Sequence, residues 1–357
     1  MGLSGGDISY AIGCMLGTVA EFDSAASYLL IKNFDLAPQG AGHVELQLQI
    51  AQSGSLNLLF NSKNGNWLTQ SAGNFIKRSS ETIRRLSNTN SYDSKFNGWL
   101  AGVMDGDGNF DLRKVNDKLV LKAIRIKLHN RDVRILTRIQ DKLSMGRIRP
   151  VNKTSHVLFI ISTKAEMIRF INCINGQMRI KVGSFTKACD SLGINMIPAN
   201  PIVGALDPYF SGLIDTDGSI VFNYPGNRIG CILELKYNEY SAKLNLDNVI
   251  PGTKPGVRVL SKASGKKGVK RFSSIRFSFD TVQSMPFVYE YFMVNRLYCD
   301  MKFYRVSKII GFLDIRRYQT LNYDSPEFKI YSAFLLDWIQ YLNPLWARLP
   351  FVKNLRK

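Results

Sequence analysis

Cysteine and histidine are scarce in this chain, and long apolar runs are missing. The five cysteines (Cys14, Cys173, Cys189, Cys231, Cys299) are scattered and odd in number. No two are near enough in sequence to form a C-x-x-C zinc or redox pair. They read as buried thiols in a reducing compartment. No apolar run reaches the roughly 18 residues of a membrane span, because Glu21, Asp23 and Lys32 interrupt the best candidate. The first 31 residues hold neither Lys nor Arg. That excludes a secretory signal and an Arg-rich transit peptide, so a chain acting inside an organelle is expected to be made there.

Acidic residues are also in short supply, but only in one part of the chain. The 357 residues carry 47 Lys+Arg against 28 Asp+Glu, a net charge of +19. Residues 1–92 contribute six basic and six acidic residues. The whole excess therefore belongs to residues 93–357, and a basic body of that size calls for a polyanionic partner. The length is enough for two or three domains with real cores.

One pattern occurs twice. Residues 100–108 read Leu-Ala-Gly-Val-Met-Asp-Gly-Asp-Gly, and residues 210–218 read Phe-Ser-Gly-Leu-Ile-Asp-Thr-Asp-Gly. Phe110 and Ile220 follow at matching places, and Asp107 and Asp217 lie 110 residues apart, about the size of a small domain. Gly102 and Gly106 are four apart and share a helix face, as do Gly212 and Thr216. Small residues there would let two helices approach closely, bringing Asp107 and Asp217 together at their C-terminal ends. The negative end of each helix dipole and the second carboxylate both disfavour the charge. A divalent cation would remove both penalties, and oxygen-only ligands suit Mg²⁺ or Mn²⁺. The segment from Asp105 also imitates a calcium loop, but an EF-hand needs Gly at its sixth position and Glu at its twelfth. Phe110 and Asn116 stand there in the first copy, and Ile220 and Gly226 in the second.

The remaining pattern gives two units. Residues 1–76 are Gly-, Ser- and Gln-rich and are assigned no role, and Ser79 to Arg85 form a basic connector. The expected division is an extension over 1–92, a first repeat over 93–197, a Pro-rich linker over 198–208 and a second repeat over 209–357 with a helical tail. The first repeat predicts a helix from Phe96 to Asp107, ended by Gly108 in the left-handed conformation, with Gly218 doing the same in the second copy. A strand follows with Ile124, Ile126 and Leu128 on one face and Arg125, Lys127 and His129 on the other. Then come a helix over Asp132–Leu143, a strand over Val157–Ile161 with Arg147 and Arg149 just before it, and a helix over Lys164–Ile174. The second repeat has an alternating strand over Ser273–Asp280 that includes Arg276, and an inserted basic loop with Lys262, Lys266, Lys267, Lys270 and Arg271. The order indicates an α+β fold.

The doubled motif resembles the signature of the LAGLIDADG homing endonucleases in their single-chain, two-motif form, over about residues 94–317. The resemblance implies two pseudo-symmetric αββαββα repeats whose strands form a saddle over DNA, with the motif helices packed at the interface. It implies metal binding by Asp107 and Asp217, and a supporting polar residue and lysine in each repeat, for which Asn130, Asn238, Lys181 and Lys302 are the candidates. Ser211 and Thr216 depart from the signature's Ala and Gly, though both are small. Arg125, Lys127, Arg147, Arg149, Lys270 and Arg276 are the candidate DNA contacts. The activity implied is metal-dependent hydrolysis of both strands of a long, asymmetric or pseudo-palindromic site by a monomer. The alternative is an RNA maturase acting on its own intron with the same fold, alone or together with cleavage. A third class, a DNA-binding regulator without catalysis, would not need both Asp107 and Asp217. An H-N-H nuclease would need more than His129-Asn130, and the chain has three histidines, none suitably placed. Intron residence suggests a mitochondrial origin, with a chloroplast second.

Overall fold

The structure is a computed structural model. It describes the backbone of residues 29–30, 43–50, 54–61, 66–70, 80–264 and 270–356, and the side chains of 94–261 and 273–356. The chain divides into two compact units, Met1–Asn88 and Thr89–Lys357. Among its described residues the first unit holds an antiparallel sheet of β1 (Leu29–Leu30), β2 (His43–Ile50), β3 (Gly54–Asn61) and β4 (Asn66–Gln70), in that order. The sequence reading leaves these residues without elements. Yet Val44, Leu46, Leu48 and Ile50 alternate with Glu45, Gln47 and Gln49, a strand pattern of period two.

The second unit is a duplication. Helix α1 (Ser80–Asp107), of which the part from Thr89 onward belongs to this unit, runs directly into β5 (Gly108–Val115) and β6 (Lys118–His129). After α2 (Val133–Leu143) come β7 (Arg147–Pro150), β8 (His156–Ile161), α3 (Lys164–Ile174) and α4 (Val182–Leu192). The second copy begins with α5 (Tyr209–Thr216), β9 (Gly218–Asn223) and β10 (Arg228–Lys236). It continues through α6 (Glu239–Lys243), β11 (Gly256–Ser264), β12 (Lys270–Phe279), α7 (Ser284–Val294) and α8 (Asp300–Ser307). The sheets run β5-β6-β8-β7 and β9-β10-β12-β11, so both copies place their strands in the order first, second, fourth, third. Three more helices, α9 (Ile309–Ile315), α10 (Pro326–Gln340) and α11 (Val352–Leu355), form the tail.

Each sheet of the second unit is half-buried, as its alternation requires. Ile124, Ile126 and Leu128 of β6 are buried and Lys127 is exposed; Cys231, Leu233 and Leu235 of β10 are buried and Lys236 is exposed. The buried faces of both copies join one apolar core that includes Leu100, Val103 and Met104 of α1 and Phe210, Leu213 and Ile214 of α5. The motif helices thus lie at the centre of the unit.

Gly108 and Gly218 do not close their helices in the left-handed conformation, because neither has a positive φ. Each opens a strand, and each is glycine for want of room. A Cβ at Gly108 would lie 2.5 Å from Met104 Sδ, and one at Gly218 would lie 2.6 Å from Ile214 Cα. The basic loop is only partly visible: Lys266 and Lys267, and the side chains of Lys262, Lys270 and Arg271, lie outside the described residues.

Candidate catalytic centre between the motif helices

Glycine fixes how α1 and α5 meet. A Cβ at Gly102 would sit 2.1 Å from Tyr209 O, and one at Gly212 would sit 2.1 Å from Trp99 O. The two contacts mirror each other, as a two-fold relation between the copies demands. One turn further on, a Cβ at Gly106 would sit 2.0 Å from Thr216 Oγ1 and 3.4 Å from Asp217 Oδ2. Thr216 accommodates its own helix by donating its hydroxyl to Leu213 O at 3.1 Å. Ser211 is buried and donates to Pro208 O at 2.8 Å. Both departures from the signature therefore fit.

The first aspartate of each motif has a structural task that the sequence reading did not assign. Asp105 is buried and accepts the backbone N–H groups of Arg179 (2.7 Å), Ile180 (3.1 Å) and Lys181 (2.7 Å). Asp215 is buried and accepts those of Tyr298 (2.8 Å) and Cys299 (2.8 Å). Each also accepts one bond from the other repeat, Asp105 from Tyr209 Oη (2.6 Å) and Asp215 from Trp99 Nε1 (2.8 Å). Burial pushes both carboxyls up, Asp215 to about 6, and the donors pull them back. Trp99 and Tyr209 occupy the same place in the two motifs, just before the apolar-small-Gly triplet. The signal was present in the sequence as the aspartate that both copies repeat.

These clamps deliver the lysines. Lys181 precedes α4, and its Nζ donates to Gly106 O and, at 2.6 Å, to Gly108 O. Lys302 in α8 donates to Ile214 O (2.7 Å), Asp215 O (2.9 Å) and Thr216 O (3.1 Å). Each ammonium caps the carbonyl end of its own motif helix, where a cation is favoured.

Asp107 and Asp217 stand at those same helix ends. Partial desolvation pushes both carboxyls up, the Asp107 charge raises Asp217 further, and Lys181 and Lys302 draw both down. Burial lowers the Lys181 ammonium, while Asp105, Asp217 and Asp107 hold it up. The two carboxylates and two lysines therefore form one electrostatic unit drawn from both repeats.

A third carboxylate joins them. Asp132, in the 3₁₀ turn Asn130–Asp132, raises Asp107 by its like charge. It accepts the Cys299 thiol at 3.1 Å, and burial pushes that thiol up to about 12, so it stays protonated and donates. Of the predicted polar pair, Asn130 is exposed on that turn and Asn238 is spent as a cap. Asn238 Oδ1 accepts Tyr240 N (2.9 Å) and Ser241 N (2.8 Å) at the start of α6. Among the described residues no three His, Cys, Asp or Glu side chains close a metal cage. The donor set is thus two carboxylates with a third nearby, and such an incomplete oxygen shell fits Mg²⁺, which keeps waters and takes substrate phosphate oxygens.

The open sheet faces carry the predicted cations. Arg125 and Lys127 lie opposite Ile160 and Leu158 of β8, and Arg147 and Arg149 lie opposite the same two residues from the far side. All four therefore share one face, away from Ile124 and Ile126. Arg125 is held by Asp111 at 2.8 Å. In the second sheet Arg276 pairs with Arg258 across the register and is held by Glu234 at 2.9 Å. The backbone of Lys270 opens β12.

Residues 100–189 match the model of the family described as LAGLIDADG endonuclease. The match covers about a quarter of the chain and contains the first motif, so this stretch is similar to that family. The second copy of the motif, at residues 210–218, lies beyond the matched stretch and opens the second αββαββ unit of the same compact body. Curated proteins similar to this chain include intron proteins of yeasts. It is 33% identical over 148 residues to the intron-encoded RNA maturase bI4 of Saccharomyces cerevisiae, a match covering 41% of this chain and 22% of that one. It is 30% identical over 140 residues to a probable intron-encoded endonuclease aI2 of Debaryomyces hansenii, covering 38% and 20%. A cox1 intron-2 protein of Schizosaccharomyces pombe is 30% identical over 125 residues, covering 31% and 36%. The matches thus span between about a fifth and about a third of these relatives. Similar solved structures include the LAGLIDADG meganuclease I-AabMI bound to uncleaved DNA, with a TM-score of 0.46 and 13% identity over 67% of this chain and 97% of that one.

Proposed function

We propose that this protein is a site-specific, divalent-metal-dependent double-strand DNA endonuclease of mitochondrial origin, working as a monomer. The observation that carries the reading is the shared electrostatic unit of Asp107, Asp217, Lys181 and Lys302 at the paired helix ends. A carboxylate from each repeat, in one pseudo-symmetric pair, suits a substrate with two strands of opposite polarity. Asp107 and Asp217 would hold Mg²⁺ or Mn²⁺, with Asp132 near enough to hold an attacking water in place. The bound ion would supply a lowered water pKa and a counter-charge for the leaving oxygen.

The chain's own residues set the stage for that chemistry. Asp105 and Asp215 fix the backbone that carries Lys181 and the turn before Lys302. Lys302 commits three N–H groups to helix carbonyls and Lys181 two, so Lys302 would act on a scissile phosphate as a fixed field, while Lys181 keeps one donor to offer. Arg125, Lys127, Arg147, Arg149 and Arg276, with Lys270, would meet phosphates and base edges along the duplex. Duplex binding would release Arg125 from Asp111 and Arg276 from Glu234, or use those pairs to orient the guanidinium forks.

A second reading is a maturase acting on the host intron RNA, alone or beside cleavage, and the relative named an RNA maturase favours keeping it. Selection of cut sites from a randomised duplex library, with Mg²⁺ and with chelator, tests the first reading. Side-by-side titration of duplex DNA and folded intron RNA tests the second. Preference for the RNA with no DNA site cut under any divalent ion would overturn the endonuclease reading.

A further inference from the structure

At the end of the motif helices remote from Asp107 lies a cavity of about 270 Å³, lined in part by Lys95, Trp99, Arg138, Asn295, Arg296 and Tyr298. Trp99 precedes Asp107 by eight residues on α1, which puts the cavity ~12 Å along the helix from the carboxylates. Its wall joins the two repeats: α1 and α2 supply Lys95, Trp99 and Arg138, and the segment after α7 supplies Asn295, Arg296 and Tyr298.

The wall is cationic and aromatic, with no carboxylate among its described residues. The Arg138 guanidinium lies 3.9 Å from the Tyr298 ring centre and 5.7 Å from that of Trp99. Arg296 stacks at 4.2 Å on Phe303. Among the described residues neither arginine, nor Lys95, forms an ion pair. The Nε atoms of Arg138 and Arg296 are buried and without a partner, two of six such side-chain atoms among the described residues. A buried donor left unmade is costly and asks for a reason. Two of them belong to arginines that line this one cavity, on planar groups stacked against aromatic rings, beside a third cation. Asp215 holds the far wall still, since it takes both Trp99 Nε1 and Tyr298 N.

We propose that this cavity is a binding site for one phosphate-bearing unpaired nucleotide, separate from the duplex-binding sheet faces. Arg138 and Arg296 present planar forks that match phosphate oxygens. The aromatic wall and the stacked guanidinium planes suit a splayed base, the mode by which single-stranded RNA is held. At about 270 Å³ the cavity falls near the small end of ligand pockets, roughly 300–1,000 Å³, and a duplex has no place in it. The site does not depend on whether the chain cuts DNA.

The test uses the full chain with the double substitution Arg138→Gln, Arg296→Gln and, separately, Lys95→Gln. Titration calorimetry is run with adenosine 5′-monophosphate, a short single-stranded oligoribonucleotide and a duplex DNA. The double variant is expected to bind the oligoribonucleotide about tenfold or more weakly, since two charge-assisted forks are lost. Lys95→Gln removes an exposed point charge and should weaken it about two- to fivefold, which keeps the proposal testable if the double variant does not fold. Loss on the oligoribonucleotide alone marks RNA as the source, and parallel loss on the monophosphate marks a site that also takes free nucleotides. Unchanged oligoribonucleotide affinity in the variants, or an equal loss on duplex DNA, overturns the site.

Discussion

The indole of Trp99 donates a 2.8 Å hydrogen bond to Asp215, across 116 positions of sequence and from one repeat into the other. Tyr209 returns the favour to Asp105 at 2.6 Å. The repeats are therefore buttoned together by the same residue positions that define the motif, and the aspartates that shape the helix pair are not the ones at its tip. Trp99→Phe should leave Asp215 one donor short in a buried place, costing about 1–3 kcal/mol. For a unit of this size that is ~2–4 °C of melting temperature for each kcal/mol. Tyr209→Phe should cost a similar amount on Asp105. Unchanged melting in both variants would show that neither bond matters to the fold.

Gly102 and Gly183 make a controlled pair. At Gly102 the first atom of any side chain would strike Tyr209 O at 2.1 Å, a backbone atom of the opposing helix, whereas at Gly183 nothing lies within 4 Å. Gly102→Ala should cost at least the ~1–3 kcal/mol typical of overpacking, and Gly102→Leu more. Gly183→Ala, inside α4, should stabilise by about 0.4–1 kcal/mol by stiffening the unfolded chain. Urea melts of the two alanine variants check this. Equal stability in both would mean that the helices do not meet through Gly102.

The doubled motif was legible because it is a local pattern: nine residues carry the helix face, the tip and the repeat. Alternation likewise gave the strand facing of Ile124 to His129, and spacing gave α3 over Lys164–Ile174. What could not be read was any role that depends on a partner distant in sequence. Asp105 looks like Asp107 until the backbone of Arg179–Lys181 arrives to take it. Asn238 looks like a cleft residue until the N-terminus of α6 claims it. Asp132 gives no sign that Cys299, 167 positions away, will hold it. Gly108 was misread for a different reason: glycine has two uses, positive φ and close approach, and the sequence alone does not say which applies.

The tail carries a small pH-dependent contact. Asp337 on α10 accepts the Tyr304 hydroxyl at 2.6 Å and lies 3.2 Å from Lys308 Nζ. The Tyr304 bond and the Lys308 partner hold its carboxyl below the ordinary 3.8. A depressed carboxyl in the folded state adds stability that is fully present above 3.8 and fades as pH falls through the folded value. Asp337 is more than half exposed, so Asp337→Asn should cost only some tenths of a kcal/mol, up to about 1, at pH 7. That difference should shrink in melts run below pH 3.8. A penalty that persists undiminished at low pH would mean that the contribution is not ionic.

The decisive substitutions are at the helix tips. Asp107→Asn keeps the shape and the helix C-terminus but removes a charge and an oxygen donor from the unit shared with Asp217. The nearby Asp132 is already engaged by the Cys299 thiol and would not replace either carboxylate, so Asp107→Asn and Asp217→Asn should each abolish double-strand cleavage of a selected site. Duplex affinity should persist, because on the proposed reading phosphate contacts on the basic sheet faces would supply most of it and would weaken steeply with salt. Losing a negative charge beside the phosphates should, if anything, tighten binding slightly. Folding should also survive, since the Asp107 charge raises the Asp217 carboxyl and removing either carboxylate ends that repulsion. Lys181→Met offers the opposite case, as it strips the cap from Gly106 O and Gly108 O and should lose both stability and cleavage. Cleavage, gel-shift affinity and melting temperature measured on all three variants separate the roles. Full cleavage by both asparagine variants would remove the endonuclease assignment and leave the fold with a binding task alone.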